Sequence, residues 1–348
     1  MLVDAGFTSD GDNTAMVSAH DSLLVRTQSG LYCPRGDFYI DPQRPVARAV
    51  ITHGHADHVR PGCGHYYATP ETLALTTQRY GELAAQTPMH YGELLALGCC
   101  EISLHAAGHI LGSAQVRLSD GNQVWVISGD YKRDRDPTCE AFEIVPCDVL
   151  ITEATFAWPI YRWPDAAHRV SQLLGWWRQQ QHNNAALVVF CYALGKAQRI
   201  LAELADHLDR PVYLHGATAK MVEQYRELGV SLPPTETITG QPQRGQRYAG
   251  DLILAPPSAA GSPWMKRFPG AATVFASGWM TVRGQRRRRG YDHGLVLSDH
   301  ADWPALLKTI QQSAAKKIYV THGNEDSLVR YLRERGRDAH ALNVLAAA

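Results

Sequence analysis

The sequence predicts an α/β protein. Short apolar, β-prone runs recur along the chain, and several lead directly into a histidine or an acid. Examples are Val50-Ile51-Thr52-His53, Val124-Trp125-Val126-Ile127-Ser128-Gly129-Asp130 and Lys317-Ile318-Tyr319-Val320-Thr321-His322. Between about residues 166 and 276 such runs alternate with stretches of helical character, which implies a mainly parallel sheet. The chain has 348 residues, 45% hydrophobic and 20% charged, the composition of an ordinary globular protein with room for one large domain or two moderate ones.

Taken in order, residues 1–21 are rich in Gly, Ser, Asp and Thr without a period and read as a flexible leader. Residues 22–32 and 37–41 read as strands, the second ending at Asp41 before Pro42; taken alone, Asp41 is a turn residue. A further strand runs through Val50 into the first histidine. Thr69 is a helix N-cap with Pro70 at the first helical position, which predicts a helix through Tyr80. Strands follow at Gly98–Leu104, Val124–Ser128 and Asp148–Phe156, the last carrying Glu153. Ala166–Gln181 is helical and contains Trp176 and Trp177, which serve either core packing or base stacking. Strand Ala186–Phe190 leads through Cys191 into another helix, and Pro211–Leu214 with Ala219–Gly229 repeats the unit. Residues 231–250, rich in Pro, Gln, Thr and Gly, read as a loop, followed by strands at Asp251–Ala255 and Thr273–Ala276.

Charge excludes little by itself. Lysine plus arginine and aspartate plus glutamate stand at 34 each, so any nucleic-acid surface must be local. One local candidate is the run Arg283, Arg286, Arg287, Arg288 and Arg289, which is either a phosphate-binding cluster or a solvated turn. Seven cysteines lie at irregular spacings without a Cys-x-x-Cys pair, an arrangement that points to a reducing cytoplasm rather than a disulfide framework. No apolar run reaches the length of a membrane span, and the N-terminus lacks the pattern of a secretory signal.

The stretch His53-Gly54-His55-Ala56-Asp57-His58 concentrates metal-binding chemistry. Neutral imidazoles and carboxylates are the ligands of zinc and similar divalent ions. His53 and His55, two apart on an extended tip, point to one side, while Asp57 and His58 follow one turn later and reach toward a second metal. Histidine-rich loops without a metal also exist, so the rest of the chain must supply further ligands. His109, among small residues, and Asp130 and His322, at strand ends, are the candidates.

The His-x-His-x-Asp-His stretch after an apolar strand resembles the signature of the metallo-β-lactamase superfamily. The strand ending Glu153-Ala154-Thr155 resembles motif A of that superfamily's β-CASP nucleases, and His300 and His322 stand in the positions of motifs B and C. Ser277-Gly278-Trp279-Met280 resembles the Ser-Gly-Met turn of the β-CASP domain. The likeness runs from about residue 22 to 330. It is greatest to the bacterial ligase-associated DNA exonucleases, which share a Leu31-Tyr32-Cys33-Pro34 type segment and an Ile40-Asp41-Pro42 strand end.

The resemblance implies an αββα sandwich formed by residues 22–158 and 291–348, with a β-CASP α/β domain inserted at 159–290. It implies two divalent metals, zinc by default with manganese as the alternative. His53, His55 and His109 hold one metal; Asp57, His58 and His322 hold the other; Asp130 bridges. Asp41 orients the histidine loop by hydrogen bonding. The implied reaction is phosphodiester hydrolysis by metal-assisted hydroxide attack, with His300 as general acid, Glu153 fixing its tautomer and Asp57 in the catalytic set. DNA, as single strands or ends, is the expected substrate, in a repair setting with a DNA ligase and a helicase as associates. RNA is the alternative, because His322 at motif C resembles ribonuclease J rather than the Artemis-like DNA enzymes. A lactonase or glyoxalase would lack the inserted domain and the arginine run. A structural metal protein has no use for Glu153 and His300.

Overall fold

The computed structural model describes residues 22–239, 248–282, 284 and 290–347. The expected leader, residues 1–21, and Arg283, Arg286, Arg287, Arg288 and Arg289 lie outside the described residues. The chain is a mixed α/β protein. Its first strands are β1 (Val25–Thr27), β2 (Gly30–Cys33), β3 (Phe38–Ile40), β4 (Arg48–Val50), β5 (His65–Ala68), β6 (Gln86–Pro88), β7 (Leu95–Leu97), β8 (Cys100–Ala106), β9 (Ala114–Ser119), β10 (Val124–Ile127) and β11 (Val149–Ala154). There follow β12 (Leu187–Phe190), β13 (Val212–His215), β14 (Thr235–Ile238), β15 (Leu252–Ala255), β16 (Ala272–Ala276), β17 (His293–Leu295), β18 (Lys317–Gly323) and β19 (Asp338–Ala341). The helices used below are α1 (Pro70–Tyr80), α2 (Ala166–His182), α3 (Lys196–Leu204), α4 (Gly216–Glu227), α5 (Trp303–Gln312) and α6 (Glu325–Arg333).

Three sheets result. The first has the order β1-β2-β3-β4-β5-β6, the second β19-β18-β11-β10-β9-β8-β7, and the third β14-β13-β15-β12-β16-β17. Strand alternation explains how the first two meet. Val149 and Ile151 of β11, Trp125 and Ile127 of β10, and Tyr319 of β18 point to one side, into a core shared with Phe38, Ile40 and Val50 of the first sheet. Leu150, Val126, Ile318 and Val320 point to the other side, onto Leu306 and Ile310 of α5 and Leu328 and Leu332 of α6. On the outer face of the first sheet, Ala49 and Tyr66 pack with Leu73 of α1. The α1 start is the one the sequence predicts: Thr69 accepts from the Thr72 amide, and Pro70 follows.

The third sheet is parallel throughout. Its central strand β12 is buried on both faces, Leu187 and Val189 against α2 and α3 and Val188 and Phe190 on the opposite side, as parallel strands require. Trp177 belongs to this core and donates to the Gly250 carbonyl at 2.9 Å, while Trp176 stacks on His293. Both tryptophans therefore serve packing. The expected loop at 231–250 contains the short strand β14: Thr235, Thr237 and Ile238 are β-branched, and pairing with β13 at the sheet edge supplies what composition does not show. The helix expected from Cys191 begins only at Lys196, which leaves Tyr192 in a loop.

Strand direction sets the site. β10, β11 and β18 are parallel neighbours, so their carboxyl ends lie side by side. The residues that follow or finish them are Asp130, Glu153 and His322. No helix among the described residues is long and apolar enough to cross a membrane.

Candidate metal centre

Three groups of ligand atoms converge where these ends meet the histidine loop after β4. His53, His55, His109 and Asp130 form one; His58, Asp130 and His322 a second; Asp130, Glu153 and His300 a third, with the atoms of each within 4.8 Å of one another. His55 Nδ1 lies 3.1 Å from His53 Nε2 and 3.0 Å from His109 Nε2. A tetrahedral ion with metal–nitrogen bonds of about 2.0–2.1 Å has ligand edges of about 3.3 Å, so this nitrogen set fits a divalent metal closely.

The orientation of each ring fits too. The Asp299 carbonyl accepts from His109 Nδ1 at 2.6 Å and the Leu194 carbonyl from His55 Nε2 at 3.4 Å. Asp41 Oδ2 accepts from His58 Nδ1 at 2.7 Å and from the Thr52 hydroxyl at 2.6 Å, and Thr52 Oγ1 in turn accepts from His53 Nδ1 at 3.1 Å. Each acceptor lies on the outer nitrogen and so favours the tautomer whose inner nitrogen presents a lone pair to the centre; His58 reaches that state only on losing a proton. Burial holds His53 and His109 well below the ordinary histidine range, reinforced by neighbouring imidazoles, and pulls His55 down to about 4. They are neutral, as ligation requires.

Asp130 Oδ2 stands 3.6 Å from His53 Nε2, 3.5 Å from His58 Nε2, 3.8 Å from His109 Nε2 and 3.9 Å from His300 Nδ1. Its Oδ1 is buried with no hydrogen-bond partner. A buried carboxylate oxygen left unpaired is costly unless a cation takes it. Burial opposes protonation of His58, but Asp130 and Asp41 outweigh it and hold the pKa well above the ordinary value. His58 must therefore give up a proton when a metal binds.

Two glycines permit the close approach. Gly129 has φ +53°, and a Cβ there would stand 2.8 Å from Thr52 Cβ. Gly323 has φ +86°, and its Cβ would stand 2.5 Å from the Ala154 carbonyl. His322 itself has φ +57° and Asp41 φ +44°, both left-handed. Such conformations cost energy in non-glycine residues and cluster at functional sites.

His300 Nδ1 donates to Glu153 Oε2 at 2.9 Å, and the Tyr131 amide holds the other oxygen, Oε1, at 2.8 Å. Burial alone would lower the His300 pKa; Glu153 and Asp130 outweigh it and push it up to about 9. The loop bearing His300 is fixed from several sides. Trp163 Nε1 donates to the His300 carbonyl at 2.8 Å, Arg199 Nη1 to the Ser298 carbonyl at 2.9 Å, and Lys196 Nζ lies 3.0 Å from Asp299 Oδ2. Trp279, from the Ser-Gly-Trp-Met turn, packs on Phe156, which packs on His300.

Of the expected ligands, Asp57 lies outside the three groups. Its side chain is exposed, with Oδ2 3.9 Å from His58 Nε2. Thr52, Leu194 and Asp299 are not singled out by the sequence reading. Thr52 and Asp299 sit directly before His53 and His300, a positional hint; a backbone carbonyl such as that of Leu194 leaves no trace in sequence. The seven cysteines are free, none in the centre.

No protein-family profile matches the chain. Among curated proteins, a probable DNA ligase of Opitutus terrae is 29% identical over 91% of this chain and 31% of its own length. Ribonuclease TTHA0252 of Thermus thermophilus is 27% identical over 74% of this chain and 66% of its own. An RNase J-like protein of Methanocaldococcus jannaschii is 26% identical over 62% of this chain and 53% of its own. The chain thus spans from a third to two thirds of these relatives. A crystal structure of a protein of unknown function from Enterococcus faecalis V583 shares the fold, with a TM-score of 0.55 at 12% identity over 82% of this chain and 77% of that one. The ordered ligand motifs, their convergence and these likenesses to nucleases agree with the resemblance to the β-CASP nucleases of the metallo-β-lactamase superfamily.

Proposed function

We propose that the protein is a metal-dependent nuclease that hydrolyses DNA phosphodiester bonds, acting as an exonuclease on single strands or resected ends. The observation that carries the reading is the His300–Glu153 pair, an imidazole hydrogen-bonded to a buried carboxylate and held 3.9 Å from Asp130 at the edge of the candidate metal centre. In this reading the two facing sheets with their outer helices are the αββα sandwich, residues 22–158 and 291–348, and the third sheet is the inserted β-CASP domain, 159–290.

His53, His55 and His109 hold one metal and His58, Asp57 and His322 the other, with Asp130 shared. Zinc suits the nitrogen-rich first set, and manganese is the alternative where carboxylates share the second. When bound, two such ions lower the pKa of water and neutralise charge on the attacked phosphate. The residues around them do the rest. Asp41 and Thr52 keep His58 and His53 in the ligating tautomer. The attacking water loses a proton to solvent as its oxygen bonds to phosphorus; the phosphorus–oxygen bond to the leaving group breaks, and His300 gives its Nε2 proton to the leaving-group oxygen. Glu153 stabilises the cationic ring before transfer, and the Tyr131 amide keeps Glu153 aimed. The arginines at 283 and 286–289 contribute phosphate contacts.

The likeness to a probable DNA ligase over nearly the whole chain supports DNA as substrate and joint action with a ligase; in this reading the setting is cytoplasmic DNA repair, with a helicase as a further associate. RNA is the second reading, favoured by the ribonuclease relatives and by His322. Purified protein with end-labelled DNA and RNA of both polarities, with and without a chelator, tests both. Chelator-sensitive shortening of DNA is expected. Degradation of RNA alone would transfer the assignment to the second reading, and full activity in chelator would refute the metal mechanism.

A further inference from the structure

The metal centre opens into a cleft of about 1000 Å³ whose walls come from separate parts of the chain. One wall is built by the loop after β12 and the first turns of α3 and α4, with Tyr192, Lys196 and Lys220; the other is the last turn of α1, with Gln78 and Arg79. Because the third sheet is parallel, these segments emerge from one edge, the carboxyl edge where open α/β sheets bind ligands. Lys220 and Gln78 also line an adjoining groove of about 620 Å³ that runs along α4 and β14, so the cleft is open to solvent past Lys220.

Tyr192 is the unusual feature. It is 58% exposed at the border of the cleft. The buried Lys196 ammonium sits 4.7 Å from its ring centroid while bound to Asp299. An aromatic ring so placed has little to gain from core packing and is open to a planar ligand. Arg79 and Lys220 are exposed cations on either side of the same cleft. Beyond Lys220 the groove turns acidic at Glu223 and Glu227, which disfavours a phosphate there.

We propose that this wall seats the unreacted part of a single strand: the base beside the cleaved phosphodiester stacks on Tyr192, and Arg79 and Lys220 take the next two phosphates at the mouth of the cleft, before the acidic groove. The inference rests on the reading of the metal centre as a nuclease site. It specifies an unpaired substrate, because a base in a duplex cannot offer its face to Tyr192. It also specifies weak sequence preference, because every base has a face to stack.

The test is binding of fluorescent single-stranded oligothymidylate and oligouridylate to the His300→Ala protein, by anisotropy across a salt series. Tyr192→Ala added to it is expected to weaken binding about tenfold, and Tyr192→Phe to preserve it. Arg79→Ala with Lys220→Ala is expected to flatten the slope of log affinity against log salt by about 1.4, from ~0.7 per phosphate contact on a single strand. All three side chains are exposed, and melting temperatures confirm folding. If the parent binds strands and these variants match it in affinity and slope, the wall is not the track and the nuclease reading stands. If the unsubstituted protein neither binds nor cleaves any strand, both readings fall.

Discussion

The carbonyl oxygen of Asp299 accepts a hydrogen bond from His109 Nδ1 at 2.6 Å. The segment that carries the proposed proton donor therefore also aims a metal-site histidine, and its own side chain is tied to α3 through Lys196 and Arg199. Asp299→Asn leaves the Lys196 ammonium buried without its counter-charge. Breaking one side of a buried pair costs about 3–5 kcal/mol. Denaturant melts should show a loss of that order, and Lys196→Met added to Asp299→Asn should recover part of it. Unchanged stability in the single variant would remove the pair from the list of elements that hold the third sheet to the centre.

Asp41→Ala removes the acceptor of both His58 and Thr52. Losing such an orienting partner costs ~10–100-fold in metal affinity. Calorimetric titration of chelated protein should show the His58–His322 set weakened most, with a smaller effect on the His53–His55–His109 set, which keeps its Asp299 and Leu194 anchors. Equal weakening of both would mean that Asp41 supports the loop as a whole.

The pH dependence follows from Glu153. Burial would depress the His300 pKa, and Glu153 with Asp130 raises it to about 9. A general acid is lost as pH rises through its pKa, so activity should fall on the alkaline side. Glu153→Gln removes an anion that raises the pKa and should move that limb to lower pH. His300→Ala should lower kcat by ~10²–10⁴-fold with metal content retained. In chelated protein the same raised pKa is a stabilising contribution. It is fully present below the ordinary histidine value of 6.5 and lost as pH rises through about 9. Melting curves of chelated wild type and His300→Ala should converge over that interval.

Gly323→Ala places a methyl 2.5 Å from the Ala154 carbonyl in a left-handed backbone. Overpacking of this kind costs about 1–3 kcal/mol, and the strained conformation adds to it. A drop in melting temperature together with loss of metal from the His322 set is expected. A stable variant with both metals retained would mean that the β11–β18 junction relaxes around the methyl group.

Much of the centre is legible in sequence because its ligands sit at strand ends. An apolar run followed by His53, Asp130 or His322 is a local signal, and local signals survive without knowledge of tertiary contacts. The helix at Thr69–Tyr80 is legible for the same reason. What is not legible depends on through-space partners. The carbonyls of Leu194 and Asp299 are acceptors any residue supplies. The exposure of Tyr192 follows from where α3 begins, and β14 is a strand only because β13 lies beside it. Asp57 is the converse case: its spacing matches the ligand pattern, while its exposed side chain stands beside His58 outside the three converging groups.

Parallel pairing of β11 with β18 joins segments between which the whole third sheet intervenes. On the ribosome, His53, His55, His58, His109, Asp130 and Glu153 emerge first. The third sheet comes next and can form from its own strand–helix neighbours. His300 and His322 come last. Closing so long a loop is entropically slow, and domains commonly fold as units during synthesis. A nascent chain thus carries most of the candidate metal ligands well before the proposed proton donor and His322, so the centre cannot be completed until the third sheet and the strand after it have been made.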